Sequence, residues 1–394
     1  MKNNWPAIDL LRGIAVIFML LNHSAVKWIK VDEMSVGLAG ILNFIGSFAP
    51  VMFFFITGIG YGLAHQIGKP AKTKDVIIKA SILIVADVFM RGGDFSSIGW
   101  DFLAFIGFSM LLLHCLRGRR FGMLLAFLLI GLFLIARFVL GPIYEALIEQ
   151  PDYVMQVLLG VSGLKGVSYW FTPWFIYPLA GFIIGHWAST FTATITKNPI
   201  NIFLFFTLLG ISIAVVSSVL ASKGFILFRW GTMSLNFFIA SFACICLSIG
   251  IAWLISNVLN FTKLTQILSM RGISSLAVVP IHYGIINLIA NVTDKKISGE
   301  LYLLLMPFWL LLCFYLAKET NKLSYYISQN TPSSGMKIMF ATVVLLAFIC
   351  SFNQLFSALF VVTFTAQFIL CLLLGFPYIK RSETNKVSLV SDRH

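Results

Sequence analysis

The chain has 394 residues, of which 59% are hydrophobic and only 11% are charged, and its formal net charge is +13. This composition excludes a soluble globular domain and indicates a protein that crosses a membrane several times. The basic residues are dispersed between apolar runs without an aromatic-rich basic patch, so the charge predicts membrane topology and no nucleic-acid partner.

Apolar runs long enough to cross a lipid bilayer recur along almost the whole chain. Their spacing predicts an all-α polytopic membrane helix bundle with about 10 to 12 transmembrane helices. The predicted helices span residues 6–26, 36–64, 76–91, 100–116, 121–141, 170–189, 200–221, 233–257, 274–291, 300–317, 337–353 and 355–378. The chain is therefore expected to be built around one membrane domain.

The distribution of lysine and arginine predicts the orientation of this bundle. If the N-terminus lies inside, the most basic loops all fall on the cytoplasmic side, as the positive-inside rule requires, and both termini are cytoplasmic. The first apolar run carries Asp9 and Arg12 and has no convincing cleavage site after it, so we expect it to remain as the first span. Short loops and many Phe, Ile and Lys residues favour a multi-pass protein of the bacterial cytoplasmic (inner) membrane.

Changes in polarity divide the chain into four segments. Residues 1–317 are predicted to form the transmembrane core to which the motifs below belong. The apolar pattern stops at residues 318–336, which predicts a cytoplasmic linker. Residues 337–378 are predicted to form a peripheral transmembrane hairpin that packs against the core or against a second copy in a homodimer, and residues 379–394 a polar cytoplasmic tail.

Cysteine usage gives no sign of a metal site. The six cysteines lie inside or at the ends of predicted spans, and Cys244 and Cys246 lack the spacing of a zinc or thioredoxin motif. We therefore expect reduced packing residues and no bound metal.

The first predicted helix carries ionisable groups inside an otherwise apolar run, DLLRGIAVIFMLLNH. Arg12 and His23 are eleven residues apart in this run, which is close to three helical turns and about 16 Å of rise, so they share one face. Asp9 lies one turn before Arg12, within reach of an ion pair, and Asn22 lies beside His23. The helix thus places a basic group at one end and an imidazole at the other.

Two interpretations of this face remain open. Ionisable groups at membrane depth cost a few kcal/mol or more each, so those that remain there usually face a cavity or a partner. Alternatively, Asp9 and Arg12 neutralise each other at the interface and only anchor the helix, while His23 is a satisfied packing residue.

Further stretches follow in a fixed order after the pair Arg12 and His23. They are PVMFFFITG at 50–58, DFLAFIG at 101–107, WFTPWFIYPLAG at 170–181, and MRGISS at 270–275 followed by His282. Together they resemble the transmembrane acyltransferase superfamily, which includes the acyltransferase-3 family and heparan-α-glucosaminide N-acetyltransferase. The arginine-rich third-helix motif of the acyltransferase-3 family is missing, and two stretches resemble the heparan-acetyltransferase branch more closely.

The resemblance implies transfer of an acyl group, usually acetyl, from cytoplasmic acyl-CoA to a hydroxyl or amine of an extracytoplasmic saccharide. Acetyl-CoA would then be a co-substrate. His23 would act as the general base or would itself accept the acyl group. Asn22 would orient the ring or hold the thioester oxygen, and the alternative for it is a hydrogen bond between helices. Arg12, with Asp9 and Arg271, would bind the donor, because a guanidinium donates paired hydrogen bonds to phosphate.

Four more residues are candidates for binding the acceptor: Asp87, Asp101, His282 and Trp174. Interface anchoring competes with this role for the two aspartates, and a membrane-interface aromatic belt competes with sugar stacking for Trp174. The alternative function is a secondary transporter or flippase in which Asp9, Arg12 and His23 form a substrate or proton relay. A third interpretation is a structural membrane subunit without activity.

Overall fold

A computed structural model describes residues 5–30, 32–34, 37–66, 72–90, 101–117, 119, 121–147, 159, 168–190, 198–226, 233–270, 274–293, 296–330 and 369. Within this part of the chain all regular elements are helices, and β-type contact is limited to one parallel bridge between Ile29 and Ile297.

The helices are numbered here in chain order, and two π-helical turns interrupt longer ones. The helices are α1 (Pro6–Trp28), α2 (Gly37–Gly46), α3 (Ala49–Gln66), α4 (Thr73–Met90), α5 (Phe102–Arg117), α6 (Gly122–Ile135), α7 (Gly141–Leu147), α8 (Phe171–Trp174), α9 (Ile176–Thr190), α10 (Pro199–Ser222), α11 (Leu235–Trp253), α12 (Thr262–Leu268), α13 (Ser274–Thr293) and α14 (Gly299–Asn330). The π-helical turns are Ala136–Leu140 and Leu254–Val258.

Among the described residues, six helical stretches are long and apolar enough to cross a membrane, judged by length and composition. They are Pro6–Trp28, Gly37–Ala64, Gly122–Leu147, Pro199–Ser222, Leu235–Val258 and Gly299–Ser324. The prediction of an all-α, multi-pass membrane bundle is confirmed. The cytoplasmic location of both termini stays a prediction.

Helix boundaries differ from the predicted ones in several places. The run predicted as one helix over 36–64 turns near Ser47, whose hydroxyl donates to the carbonyl oxygen of Phe44 at 2.6 Å, and so becomes α2 and α3. The helix predicted to end at 141 continues through a π-helical turn to Leu147. The short helix α12 falls between two predicted helices.

Helix α14 runs through the first part of the segment expected to be a linker. It ends at Asn330, whereas the sequence predicts a linker over 318–336. The polar extension packs on the bundle: Thr320 and Ser324 are buried, and Lys318 Nζ donates to two carbonyl oxygens at the end of α12 at 2.6 and 2.7 Å. The loss of apolar residues therefore marks a change of surroundings and not the end of a helix.

The remaining predicted segments lie beyond this helix. The hairpin predicted over 337–378 and the tail predicted over 379–394 fall outside the described residues, apart from Ile369, whose side chain packs against the hydrophobic core.

Helix α1 occupies the centre of the bundle. Pro6 stands in its first turn, where the missing N–H breaks no helical hydrogen bond. Leu10, Ala15, Leu20 and Ala25 are completely buried, and α1 packs against α2, α3, α11, α12, α13 and α14. The surroundings of each polar group on α1 are therefore set by other helices and not by lipid alone.

Helices α3 and α9 pack with their backbones in direct contact. Each carries two glycines four residues apart, Gly58 and Gly62 on α3 and Gly181 and Gly185 on α9. A methyl group on any of the four would collide with a backbone carbonyl oxygen of the other helix. This is the small-xxx-small packing that brings membrane helices close enough for extensive van der Waals contact. The α3–α9 pair forms the frame against which α1 and α5 pack.

Helices α6 and α10 lie at the periphery. Only 11% of each of their apolar spans is buried, and their exposed side chains are large and apolar. Because the chain is a membrane protein, such faces are suited to lipid contact.

We expect Gly181→Ala to destabilise the protein, because the new methyl group would meet the carbonyl oxygen of Phe55. Overpacking of this kind costs about 1–3 kcal/mol or more. Gly131→Ala is the matched control, since nothing lies within 4 Å of the added methyl group there. Thermal unfolding of both variants in detergent checks this, and equal midpoints for the two would contradict it.

Candidate active site

A cavity of about 310 Å³ lies at the C-terminal end of α1. Its walls come from α1, the α2–α3 turn, the start of α5, the residues before α8, and α13. The polar side chains that line it are Asn22, His23, Ser47, Asp101, Ser168, Tyr169 and Tyr283. The remaining lining is apolar and includes Met19, Phe53, Phe102 and Val279. The cavity is therefore a small, mostly apolar site with a few converging polar groups, as ligand sites commonly are.

Helix α2 fixes the end of α1 on which the cavity is built. A methyl group on Gly46 would lie 2.6 Å from the carbonyl oxygen of Phe18 and 2.7 Å from the amide nitrogen of Asn22, so only glycine permits this approach. The side-chain nitrogen of Asn22 donates to Asn43 on α2, at 2.8 Å to Oδ1 and 3.3 Å to the carbonyl oxygen. Asn22 thus ties α1 to α2 at the edge of the cavity.

His23 and His282 are in direct contact. Nδ1 of His23 lies 2.7 Å from Nε2 of His282, and the two rings are stacked with centroids 5.0 Å apart. His282 is completely buried on α13, and its Nδ1 lies 2.7 Å from the carbonyl oxygen of Val278. Two residues that are far apart in the sequence therefore form one hydrogen-bonded pair.

The carbonyl group of Val278, which ends this series of hydrogen bonds, determines the tautomers of the two histidines. A carbonyl oxygen only accepts, so Nδ1 of His282 carries the hydrogen that binds Val278, and Nε2 of a neutral His282 has a lone pair. Nδ1 of His23 then donates to that lone pair. The remaining nitrogen of His23, Nε2, is left without a hydrogen. This assignment follows from the hydrogen-bond network.

Tyr283 stands beside this free nitrogen. Its hydroxyl lies 3.5 Å from His23 Nε2, its ring centroid lies 4.9 Å from that of His23, and it lines the same cavity. Sequence reasoning did not single out Tyr283 or Tyr169. The available signal for both was adjacency, because Tyr283 follows His282 and Tyr169 precedes the stretch at 170–181.

The two aspartates proposed for acceptor binding occupy different environments. Asp87 on α4 is completely buried, and its carboxylate accepts hydrogen bonds from the backbone amides of Asp101, Leu103 and Ala104 at 2.8 to 3.1 Å. It therefore caps the start of α5 from a neighbouring helix. Asp101 accepts from the amide of Phe102 at 2.8 Å and lines the cavity. Of the two, only Asp101 reaches the cavity.

Trp174 lies behind the cavity wall. It is completely buried, and its ring meets that of Tyr169 edge-on with centroids 4.9 Å apart. It is not among the residues that line the cavity, so its contact with the site passes through Tyr169.

Arg12 and Asp9 form the ion pair that their spacing predicts, with 2.7 Å between the guanidinium and the carboxylate. The Arg12 side chain is 29% exposed. The backbone carbonyl of Asp9 accepts a hydrogen bond from the Met270 amide at 2.9 Å, which holds the end of α12 against this part of α1. Arg271 follows Met270 in sequence but lies outside the described residues.

The structure does not bring Arg12 to the His23 cavity. Val16 and Met19 lie between them on the same face of α1 and are 0% and 4% exposed. Met19 lines the cavity, and neither Val16 nor Arg12 does. The face of α1 between Arg12 and His23 is therefore filled by side chains in this conformation.

Comparison with family models gives one informative match. The model described as heparan-alpha-glucosaminide N-acetyltransferase, catalytic, matches residues 5–210. A search of curated protein sequences finds no match. The matched region contains Arg12, His23 and Asp101, whereas His282 and Tyr283 lie after it, so the second half of the chain completes a site that begins in the first.

We expect Asp87→Ala to lower thermal stability strongly, because three backbone amides, two of them in buried contacts, would lose their acceptor. Each unsatisfied buried group costs about 1–3 kcal/mol. Asp101→Asn serves as the comparison, since an amide oxygen can still accept from Phe102. Thermal unfolding in detergent measures both. If the two variants have the same unfolding midpoint, the buried contacts of Asp87 do not hold the start of α5.

Proposed function

The chain belongs to the heparan-alpha-glucosaminide N-acetyltransferase catalytic family, a family of membrane N-acetyltransferases, and we propose that it transfers an acetyl group from acetyl-CoA to an acceptor bound in the His23 cavity. The observation that carries this proposal is the hydrogen-bonded pair of His23 and His282 at the cavity that His23 lines. The hydrogen bonds of this pair assign the lone pair of His23 to Nε2.

His23 is proposed to act as the general base. The acceptor amine or hydroxyl attacks the thioester carbon, its proton passes to Nε2 of His23, and the carbon–sulfur bond breaks. The CoA thiolate then takes the proton back from His23. Positioned bases of this kind contribute on the order of 10² to 10⁴ in rate. Through Nδ1 of His23, His282 shares the positive charge that develops on the imidazole.

The same lone pair offers a second route to the same products. His23 Nε2 can attack the thioester carbon itself, so that the carbon–sulfur bond breaks, the CoA thiolate leaves and an acetyl-histidine forms. The acceptor then attacks the acetyl carbon, the bond to Nε2 breaks, and the acceptor proton passes through the freed Nε2 to the thiolate. Both routes use the same nitrogen and the same cavity. They differ in whether an acetyl-histidine forms, and this covalent intermediate could be trapped.

Donor binding is assigned to the opposite end of α1. Arg12 is partly exposed, and its ion pair with Asp9 occupies only part of a guanidinium that has five N–H groups, so donors remain for phosphate. Arg271 is proposed to assist, since Met270 packs against Asp9. The positive-inside rule would place this end in the cytoplasm, where acetyl-CoA is present.

The acceptor is proposed to enter the cavity from the extracytoplasmic side. A volume of about 310 Å³ lies at the small end of the range for ligand sites, which suits one sugar ring together with the acetyl group. Asp101 supplies a carboxylate that can bind hydroxyls or an amino group. The family favours an amine acceptor, and the lining of the cavity is compatible with a hydroxyl as well.

Because the base and the donor site lie at opposite ends of α1, substitutions at the two ends should have different effects. His23→Ala should abolish acetyl transfer while acetyl-CoA still binds, because the base is lost and the donor site is not. Arg12→Gln should weaken acetyl-CoA binding and raise its KM, with a smaller effect on kcat. Transfer to a panel of amino sugars and calorimetric binding of acetyl-CoA to purified protein measure these effects.

Two results would contradict the proposal. Full acetyl transfer by the His23→Ala protein would remove the role of this residue. Absence of any thioester chemistry in the unmodified protein, combined with solute movement in proteoliposomes, would favour the transporter. Mass spectrometry of protein quenched with acetyl-CoA alone would detect an acetyl-histidine and so distinguish the two routes.

We also expect His282→Leu to lower kcat far more than His282→Gln. The glutamine side-chain oxygen can replace Nε2 as acceptor for Nδ1 of His23, whereas leucine offers no acceptor. The pH profile of kcat should shift in the leucine variant and return toward the original in the glutamine variant. Equal activities and equal pH profiles would show that His282 only fills space.

A further inference from the structure

A base alone does not complete an acyl-transfer site. As the nucleophile attacks, the thioester carbonyl oxygen becomes an oxyanion, and a hydrogen-bond donor directed at it usually makes a large contribution to the rate. Such a donor must lie so that one acetyl group can sit about 3 Å from both the donor and the base.

Two cavity residues that could supply this donor are already engaged. The side-chain nitrogen of Asn22 donates to Asn43 on α2. The hydroxyl of Ser47 donates to the carbonyl oxygen of Phe44 at 2.6 Å. Both bonds hold the α2 end of the cavity together, so releasing either would loosen the wall of the cavity.

Tyr283 has the required position. Its hydroxyl lies 3.5 Å from Nε2 of His23, a long separation that a bound acetyl group can bridge from both sides. Its ring is held by aromatic contacts on the same side of α1, with centroids 4.3 Å from His282 and 4.9 Å from His23. The hydroxyl is therefore fixed beside the nitrogen that acts as the base.

We propose that Tyr283 is a catalytic residue whose hydroxyl donates a hydrogen bond to the thioester oxygen as the tetrahedral intermediate forms. The proposal rests on the proposed function. The acceptor heteroatom bonds to the carbonyl carbon, its proton moves to His23, and the carbonyl electrons move to the oxygen that Tyr283 binds. When the carbonyl re-forms, the carbon–sulfur bond breaks, and the thiolate leaves with the proton from His23. Tyr283 keeps its own proton throughout.

The same arrangement explains why adjacent residues of α13 serve different purposes. His282 faces Nδ1 of His23 and fixes its tautomer, while Tyr283 lies beside Nε2 on the cavity side. Each ring nitrogen of His23 therefore has its own partner from one turn of one helix. The acetyl group is expected to lie between Nε2 and the tyrosine hydroxyl.

The central test is Tyr283→Phe, which removes the hydroxyl and keeps the ring. We expect kcat to fall about 10²- to 10³-fold, the usual effect of removing one oxyanion donor, while KM for acetyl-CoA is unchanged. Tyr302→Phe is the matched control, because its hydroxyl is also buried against α1 and donates to the carbonyl oxygen of Leu21 at 2.9 Å. This control should retain kcat, since Tyr302 does not line the cavity.

A binding measurement separates the catalytic role from a structural one. A trifluoromethyl-ketone analogue of acetyl-CoA forms a tetrahedral hydrate and mimics the intermediate, whereas a thioether analogue does not. Tyr283→Phe should lose affinity for the ketone by a factor similar to its loss in kcat and should bind the thioether normally. If the phenylalanine variant fails to fold, 3-fluorotyrosine at position 283, a stronger acid of the same shape, should bind the ketone more tightly than tyrosine does.

These experiments distinguish failure of the Tyr283 inference from failure of the proposed acetyl-transfer function. If the unmodified protein transfers acetyl and His23→Ala does not, but Tyr283→Phe is fully active, this inference is wrong and the function stands. Equal loss of affinity for both analogues would assign Tyr283 to donor binding and would also overturn the inference. If the unmodified protein has no acetyl transfer activity, both proposals fail together.

Discussion

The close approach of helix backbones at glycine is the interaction on which the rest of the structure depends. In lipid, apolar side chains gain little by leaving the surrounding hydrocarbon, so helices associate through dense packing and a few polar contacts. Four glycines bring α3 and α9 together, Gly46 brings α2 onto α1, and Gly13 lies against the carbonyl group of Leu268 at the end of α12. The last two contacts flank the two polar ends of α1. The Arg12 end of α1 and the cavity at its other end are thus both formed where a glycine lacks a side chain.

The polar groups follow from this packing because each one inside the bundle needs a partner. Asp87 satisfies three amides at the start of α5. Hydrogen bonds link the Val278 carbonyl to His282 and His282 to Nδ1 of His23, and the Tyr283 hydroxyl lies 3.5 Å from the last nitrogen, Nε2 of His23. All donors in this series of hydrogen bonds point the same way, because it begins at the Val278 carbonyl group and ends at the cavity. The buried carbonyl of Val278 therefore fixes the tautomers of both rings and leaves the lone pair of His23 on Nε2, the nitrogen proposed to act as the base.

Local features of this site were predictable from the sequence, and long-range ones were not. Helical spacing correctly placed Asp9 beside Arg12, and hydropathy located most helices within a few residues. The contact between His23 and His282 depends on how α13 packs against α1, which no local pattern records. Asp87 and Asp101 look alike in sequence, yet the first caps α5 from α4 and the second lines the cavity, a difference that depends on how the two helices pack.

The side chains that separate Arg12 from the His23 cavity also close a path across the membrane. A permanently open path along α1 would let water and ions cross, whereas Val16 and Met19 keep the middle of the bundle dry. If a CoA thioester reaches His23 from the Arg12 end, these side chains must move while it passes. Methionine suits this position, because its unbranched, flexible side chain can adopt several shapes at little cost. The pantetheine arm of the CoA thioester would then fill the space of the side chains that it displaces, so that the bundle stays closed to water and ions during the reaction.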